Sequence, residues 1–151
     1  MSNSKYFIPP LGGLYSGLDG FAELLLRVVV GLNLVPHGAQ KLFGSFGGGG
    51  IGGTGQFLEQ VGYTPGAFWA LAIGVVEFFG GLAIAIGFLT RPAALAVTIF
   101  MAVAVMFHLG NGFFWVKGGY EYPVLWTVAA FYFLIRGAGR YSVDARIGRE
   151  F

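Results

Sequence analysis

Two histidines, one isolated glutamate and a short polar run carry the chemistry that this chain of 151 residues can offer. His37 belongs to Leu34-Val35-Pro36-His37-Gly38-Ala39-Gln40-Lys41-Leu42-Phe43-Gly44, which places polar residues at the end of a stretch of membrane-spanning length. Hydrocarbon holds no water, so a histidine, a glutamine and a lysine there need protein partners or a route to the interface. Pro36 also frees the backbone carbonyl of Leu32, one turn upstream. His108 closes a second apolar stretch, and each histidine lies sixteen residues past the start of its own stretch. At the helical rise that depth is about 24 Å from the inner boundary for both, which sets them level on different helices. Level histidines suit the axial ligation of a haem, a metal site, or proton exchange with a quinone. The alternative for each is an interfacial hydrogen bond to a neighbour or to water.

Glu77 is the only charge in the stretch 67–89. A charged side chain at the centre of a span costs roughly 2.5–3.5 kcal/mol on insertion scales. Gly74 and Gly81 share its helix face and allow another helix to approach closely. Glu77 is therefore expected to point inward, paired with Arg27 or His37, either accepting a proton or fixing the geometry of the helices. Arg27 follows Glu23 by four residues, the favourable order for a helical ion pair. Lys41 is expected to snorkel to the headgroups. A zinc or iron site wants more ligands than Glu77, Asn111 and Glu121 add, so no metal is expected. The absence of cysteine excludes a thiol–disulfide relay, a thiolate-bound cluster and a cysteine nucleophile within the chain.

The elements that must position these groups follow from composition. Hydrophobic residues make up 56% and charged residues 11%, with a mean hydropathy of +0.72. Soluble domains carry about 25% charge, so the balance indicates an integral membrane protein, and the 27 glycines fit that class. Four stretches reach spanning length or approach it: 21–43, 67–89, 92–109 and 119–135. The expected fold is an all-α, integral membrane four-helix bundle, with a tail at 1–20, one membrane domain at 21–136 and a basic tail at 137–151. Lys5, Arg91, Arg136, Arg140, Arg146 and Arg149 fall on one side of such a bundle, and Lys41 and Lys117 on the other. The positive-inside rule then puts both termini in the cytoplasm. These charges flank spans and form no basic helix face, so no nucleic acid partner is expected. The segment 44–66, with its glycine run, reads as a flexible external loop holding a short interfacial helix capped by Thr54. The segment 110–122 reads as an aromatic belt.

Six motifs, taken in order, resemble the DoxX family of small bacterial and archaeal membrane proteins. They are Pro36-His37-Gly38-Ala39-Gln40-Lys41-Leu42-Phe43-Gly44, Val76-Glu77-Phe78-Phe79-Gly80-Gly81, Gly87-Phe88-Leu89-Thr90-Arg91, His108-Leu109-Gly110-Asn111-Gly112-Phe113-Phe114, Gly118-Gly119-Tyr120-Glu121-Tyr122 and Gly137-Ala138-Gly139-Arg140-Tyr141-Ser142-Val143-Asp144. The resemblance implies a four-helix membrane bundle in a bacterial or archaeal cytoplasmic membrane. It also implies kinship with a subunit of a thiosulfate:quinone oxidoreductase. It marks His37, Gln40, Lys41, Glu77, His108, Asn111, Tyr120 and Glu121 as positions of importance without assigning roles.

The expected function is a membrane subunit of a quinone-linked or respiratory redox assembly, with a polar pocket in the external half of the bundle. There Glu77, His37 and His108 would transfer protons. His37, Gln40, Lys41, His108, Asn111, Tyr120 and Glu121 would bind the cofactor, with quinone favoured over haem. Partners would be the lipid bilayer and other membrane subunits. The main alternative is a non-catalytic accessory or scaffold subunit packing against a larger membrane complex. A small transporter or channel is a third reading, weakened because the cytoplasmic halves offer a polar path only Glu23 and Arg27.

Overall fold

Long apolar runs without β-alternation produce helices, and no strand occurs among the described residues. The computed structural model describes residues 6–149. Helix α1 (Leu11–Phe43) is followed by α2 (Gly50–Gln60), α3 (Gly66–Val75), a π turn (Val76–Gly80) and α4 (Gly81–Ile86). Then come α5 (Thr90–His108), α6 (Glu121–Arg136) and the short α7 (Val143–Ile147). Two stretches, Gly66–Ile86 and Thr90–Asn111, are long and apolar enough to cross a membrane. Only 17% of the most apolar window of the second is buried within the molecule, far less than a helix at the core of a soluble protein would show.

Several boundaries differ from expectation. Helix α1 begins at Leu11, ten residues early, because Pro10 occupies a helix start where a missing N–H costs nothing. Its 33 residues run through Pro36 and extend about 50 Å, longer than the hydrocarbon core of a bilayer is thick. The segment 44–66 is more ordered than a flexible loop, since its middle forms α2 (11 residues), which starts at Gly50 and packs on α1 and α3. Thr54 lies within this helix and does not cap it. Residues 1–5, including Lys5, and residues 150–151 lie outside the described part of the chain.

The segment after α6 is the largest departure from a basic tail. It folds back over the end of the assembly that holds Arg27, which is 1% exposed. The guanidinium donates from Nη1 to the Ala138 carbonyl, from Nη2 to the Tyr141 carbonyl at 2.7 Å and from Nε to the Ala85 carbonyl at 3.4 Å. Asp144 accepts from the Leu89 and Thr90 N–H groups at 2.9 and 3.0 Å, satisfying two donors at the start of α5. Leu89 holds a left-handed backbone (φ 49°), and this carboxylate clamps it there. Arg27 thus serves the C-terminal segment and forms no pair with Glu77. Glu23 instead accepts from the Tyr132 hydroxyl.

The core lies in the same half. Val30 and Leu34 of α1, Ile84 of α4, Ala94, Val97 and Met101 of α5, and Ala130 and Phe133 of α6 form one buried cluster. Small residues allow close contact there: Gly31 meets Gly81 and Ala85 with no room for a Cβ. Helix α5 packs on α6, on the π turn and on α4, whereas α3 packs on α1 and α2. Packing is tight around Arg27, and in the half that carries the histidines a space opens.

Candidate functional site

That space is a cleft of about 690 Å³ whose walls come from α1, α2, α3, the π turn, α5 and the start of α6. Leu34 and Met101 belong to both the core and the cleft, so the core forms its floor. The walls are aliphatic and aromatic, with His37, Lys41, Glu77 and His108 among the few polar groups. All three tryptophans of the chain, Trp69, Trp115 and Trp126, line it.

Glu77 sits in the π turn, 5% exposed. A π turn inserts a residue into the helical ladder and re-aims the side chains around it, and such turns recur at functional sites. The carboxylate Oε2 lies 2.7 Å from Lys41 Nζ, which also donates to the His37 carbonyl at 3.3 Å. Lys41 therefore turns inward to Glu77 and does not snorkel, because a buried carboxylate one helix away outcompetes the more distant headgroups. The approach depends on Gly38, whose missing side chain leaves room for the backbone of Phe78. The imidazole of His37 faces the cleft without a hydrogen-bond partner among the described residues.

His108 is held differently. Its Nδ1 lies 2.6 Å from the Gly118 carbonyl, which also accepts from Asn111 Nδ2 at 3.0 Å. Gly118 has φ 74°, a left-handed conformation that glycine adopts without strain and that turns this carbonyl inward. The same loop is closed by Glu121, whose carboxylate accepts the Trp115 N–H at 2.9 Å.

Of the sequence-predicted residues, the fold brings His37, Lys41, Glu77 and His108 to one cleft. Gln40, Asn111, Tyr120 and Glu121 are not in its lining. Gln40 donates to the Phe46 carbonyl at 3.4 Å, and Tyr120 packs edge-on against Phe113 at 5.7 Å. Asn111 and Glu121 shape the loop that holds His108 and Trp115. Sequence reasoning missed the aromatic wall. Trp115 and Tyr122, read as an interfacial belt, line the cleft and pack in a chain with Trp126, tilted at 5.3 Å and then edge-on at 5.8 Å. Among the described residues no three His, Asp or Glu side chains come together as a metal-ligand set.

Long apolar helices that stay largely exposed, around an inward-facing ion pair, define a helical membrane protein. The DoxX family model matches residues 22–110, and the chain belongs to that family. The inner membrane protein YqjF of Escherichia coli is 30% identical over 141 residues, spanning 88% of this chain and 97% of the relative. An uncharacterised protein of Haemophilus influenzae is 33% identical over 129 residues, 83% of this chain and 90% of its own. The uncharacterised membrane protein Rv3486 of Mycobacterium tuberculosis is 31% identical over 138 residues, 84% of this chain and 82% of its own. No solved structure matches the chain. The protein is accordingly a multi-pass protein of the cytoplasmic membrane, and the exposed apolar side chains of α1, α5 and α6 are suited to lipid.

Proposed function

We propose that the protein is a membrane subunit of a quinone-linked redox assembly and that the cleft is its quinone site. In this reading α1, the α3–α4 stretch, α5 and α6 are four spans with both termini in the cytoplasm. The cleft then opens in the external half. The observation that carries the reading is an apolar, aromatic-walled space with His37, His108 and the Lys41–Glu77 pair in its lining. A prenylated quinone has matching parts: a flat ring for the aromatic wall, two polar oxygens for the histidines, and an apolar tail. Ile99 and Val103 of α5 line the cleft and are 58% and 38% exposed, which supports an opening of the cleft toward lipid along that helix in this reading. A ligand dissolved in the bilayer can enter there without crossing water. When bound, a quinone would supply the two-electron chemistry. The residues of this chain orient its oxygens, exclude water and hold protons at the imidazole nitrogens and the Glu77 carboxylate.

Three tryptophans in the lining provide the test. Titration of the purified protein in mild detergent with a decyl-tailed quinone should quench their emission saturably. Ala104→Phe, which fills the cleft, should abolish saturation. Linear quenching equal to that of free tryptophan would count against the reading.

The accessory-subunit alternative is favoured by no single contact in the structure. It becomes the better account if the titration fails and the protein migrates in native gels only with a larger complex.

A further inference from the structure

The two histidines of the cleft are not equivalent, and the difference bears on which oxidation state of a ligand the site prefers. A carbonyl oxygen can only accept, so the 2.6 Å contact between His108 Nδ1 and the Gly118 oxygen requires the proton on Nδ1. A carbon atom in place of that nitrogen would clash at this distance, so the ring cannot be turned over. In the neutral imidazole, Nε2 then carries a lone pair and no proton. Asn111 Nδ2 donates to the same Gly118 oxygen and keeps that carbonyl in place. The imidazole of His37, with no hydrogen-bond partner among the described residues, meets either a donor or an acceptor by choosing its tautomer.

We infer that His108 is the specificity-determining residue of the cleft and that it selects an amphiphile whose ring bears a hydroxyl donor, the hydroquinone form over the quinone. The inference rests on the quinone-site reading and adds the direction of selectivity. A hydroquinone hydroxyl donates to Nε2, while His37 can serve the oxygen at the other end of the ring. A quinone carbonyl opposite Nε2 would set lone pair against lone pair and leave two acceptors unsatisfied in an apolar space, which is the costlier arrangement. Gly118 and Asn111 act as positioning groups, because the Gly118 carbonyl fixes the tautomer and Asn111 fixes that carbonyl.

The test compares three ligands with the same decyl tail by tryptophan quenching of the full chain under anaerobic, reducing or oxidising conditions. These are a hydroquinone, the corresponding quinone and the hydroquinone dimethyl ether, which has the oxygens but no donor. One hydrogen bond retained against one lost predicts that the hydroquinone binds about tenfold more tightly than either of the others. His108→Asn keeps a donor for Gly118 and lacks the Nε2 acceptor, so the three affinities should converge. If the three bind the native protein equally, or the preference persists in His108→Asn, the inference falls and the quinone site survives. If none of them binds, the quinone site itself falls. Should His108→Asn not yield monodisperse protein, the ratio of hydroquinone to quinone affinity in the native chain decides alone.

Discussion

Lys41 Nζ and Glu77 Oε2 lie 2.7 Å apart, across the crossing of α1 and the π turn. The two residues are distant in sequence and meet only because Gly38 leaves space for the Phe78 backbone and the π turn turns Glu77 toward α1. This pair gives the apolar cleft a charged edge, and its asymmetry is informative. The Glu77 side chain is 6% exposed and that of Lys41 25%.

Removing the lysine should therefore harm the protein more than removing the glutamate. Breaking a buried pair from one side costs about 3–5 kcal/mol, and partial exposure of Lys41 reduces this when the lysine is the partner left behind. Thermal denaturation in detergent should rank Lys41→Met below Glu77→Leu, with the double variant recovering part of the loss. Equal, additive losses would mean that the pair contributes nothing to stability.

Gly38 supports a second expectation. A side chain there must displace the backbone of Phe78. Gly38→Val should lower stability by about 1–3 kcal/mol, the usual scale of overpacking. Saturable quenching by a quinone should be lost at temperatures where the protein remains folded, because Glu77 and Lys41 are pushed apart. Unchanged binding would show that this crossing does not position the site.

At the other end, Asp144 satisfies two backbone donors at the start of α5. Asp144→Ala should cost about 1–3 kcal/mol, the scale for loss of a cap with buried donors left unpaired. It should also expose the segment after α6 to trypsin at Arg140 and Arg146. Arg27→Lys should produce the same protease sensitivity, since an ammonium cannot span three carbonyls as the guanidinium does. A protected C-terminal segment in either variant would contradict this account of it.

The lack of cysteine makes orientation directly measurable. Val116→Cys, at a position 90% exposed, should react with a membrane-impermeant maleimide in intact spheroplasts. Ile147→Cys, at a position 56% exposed, should react only after permeabilisation. The reverse pattern would invert the proposed topology.

The long helices were legible in the sequence because a membrane-length apolar run has few alternatives. That His37 and His108 approach one another was legible because each lies near the end of its own long apolar run, and both line one cleft. What escaped were features set by tertiary approach. Lys41 read alone belongs at the headgroups; only the crossing at Gly38 offers it a carboxylate. Arg27 read alone points to the nearest acid, but the fold-back of the segment after α6 supplies carbonyls that no local pattern announces. Trp115 and Tyr122 read as a belt because their loop is aromatic throughout. The Glu121 carboxylate, holding the Trp115 N–H, helps to turn these rings inward.

A cleft that holds a prenylated quinone should keep it when the protein leaves its own membrane. Protein purified from native membranes in mild detergent should yield, on organic extraction, close to one prenylated quinone per chain, and Ala104→Phe should yield the trace level of an unrelated membrane protein prepared alongside. An equal, trace amount in native and Ala104→Phe protein would contradict the account.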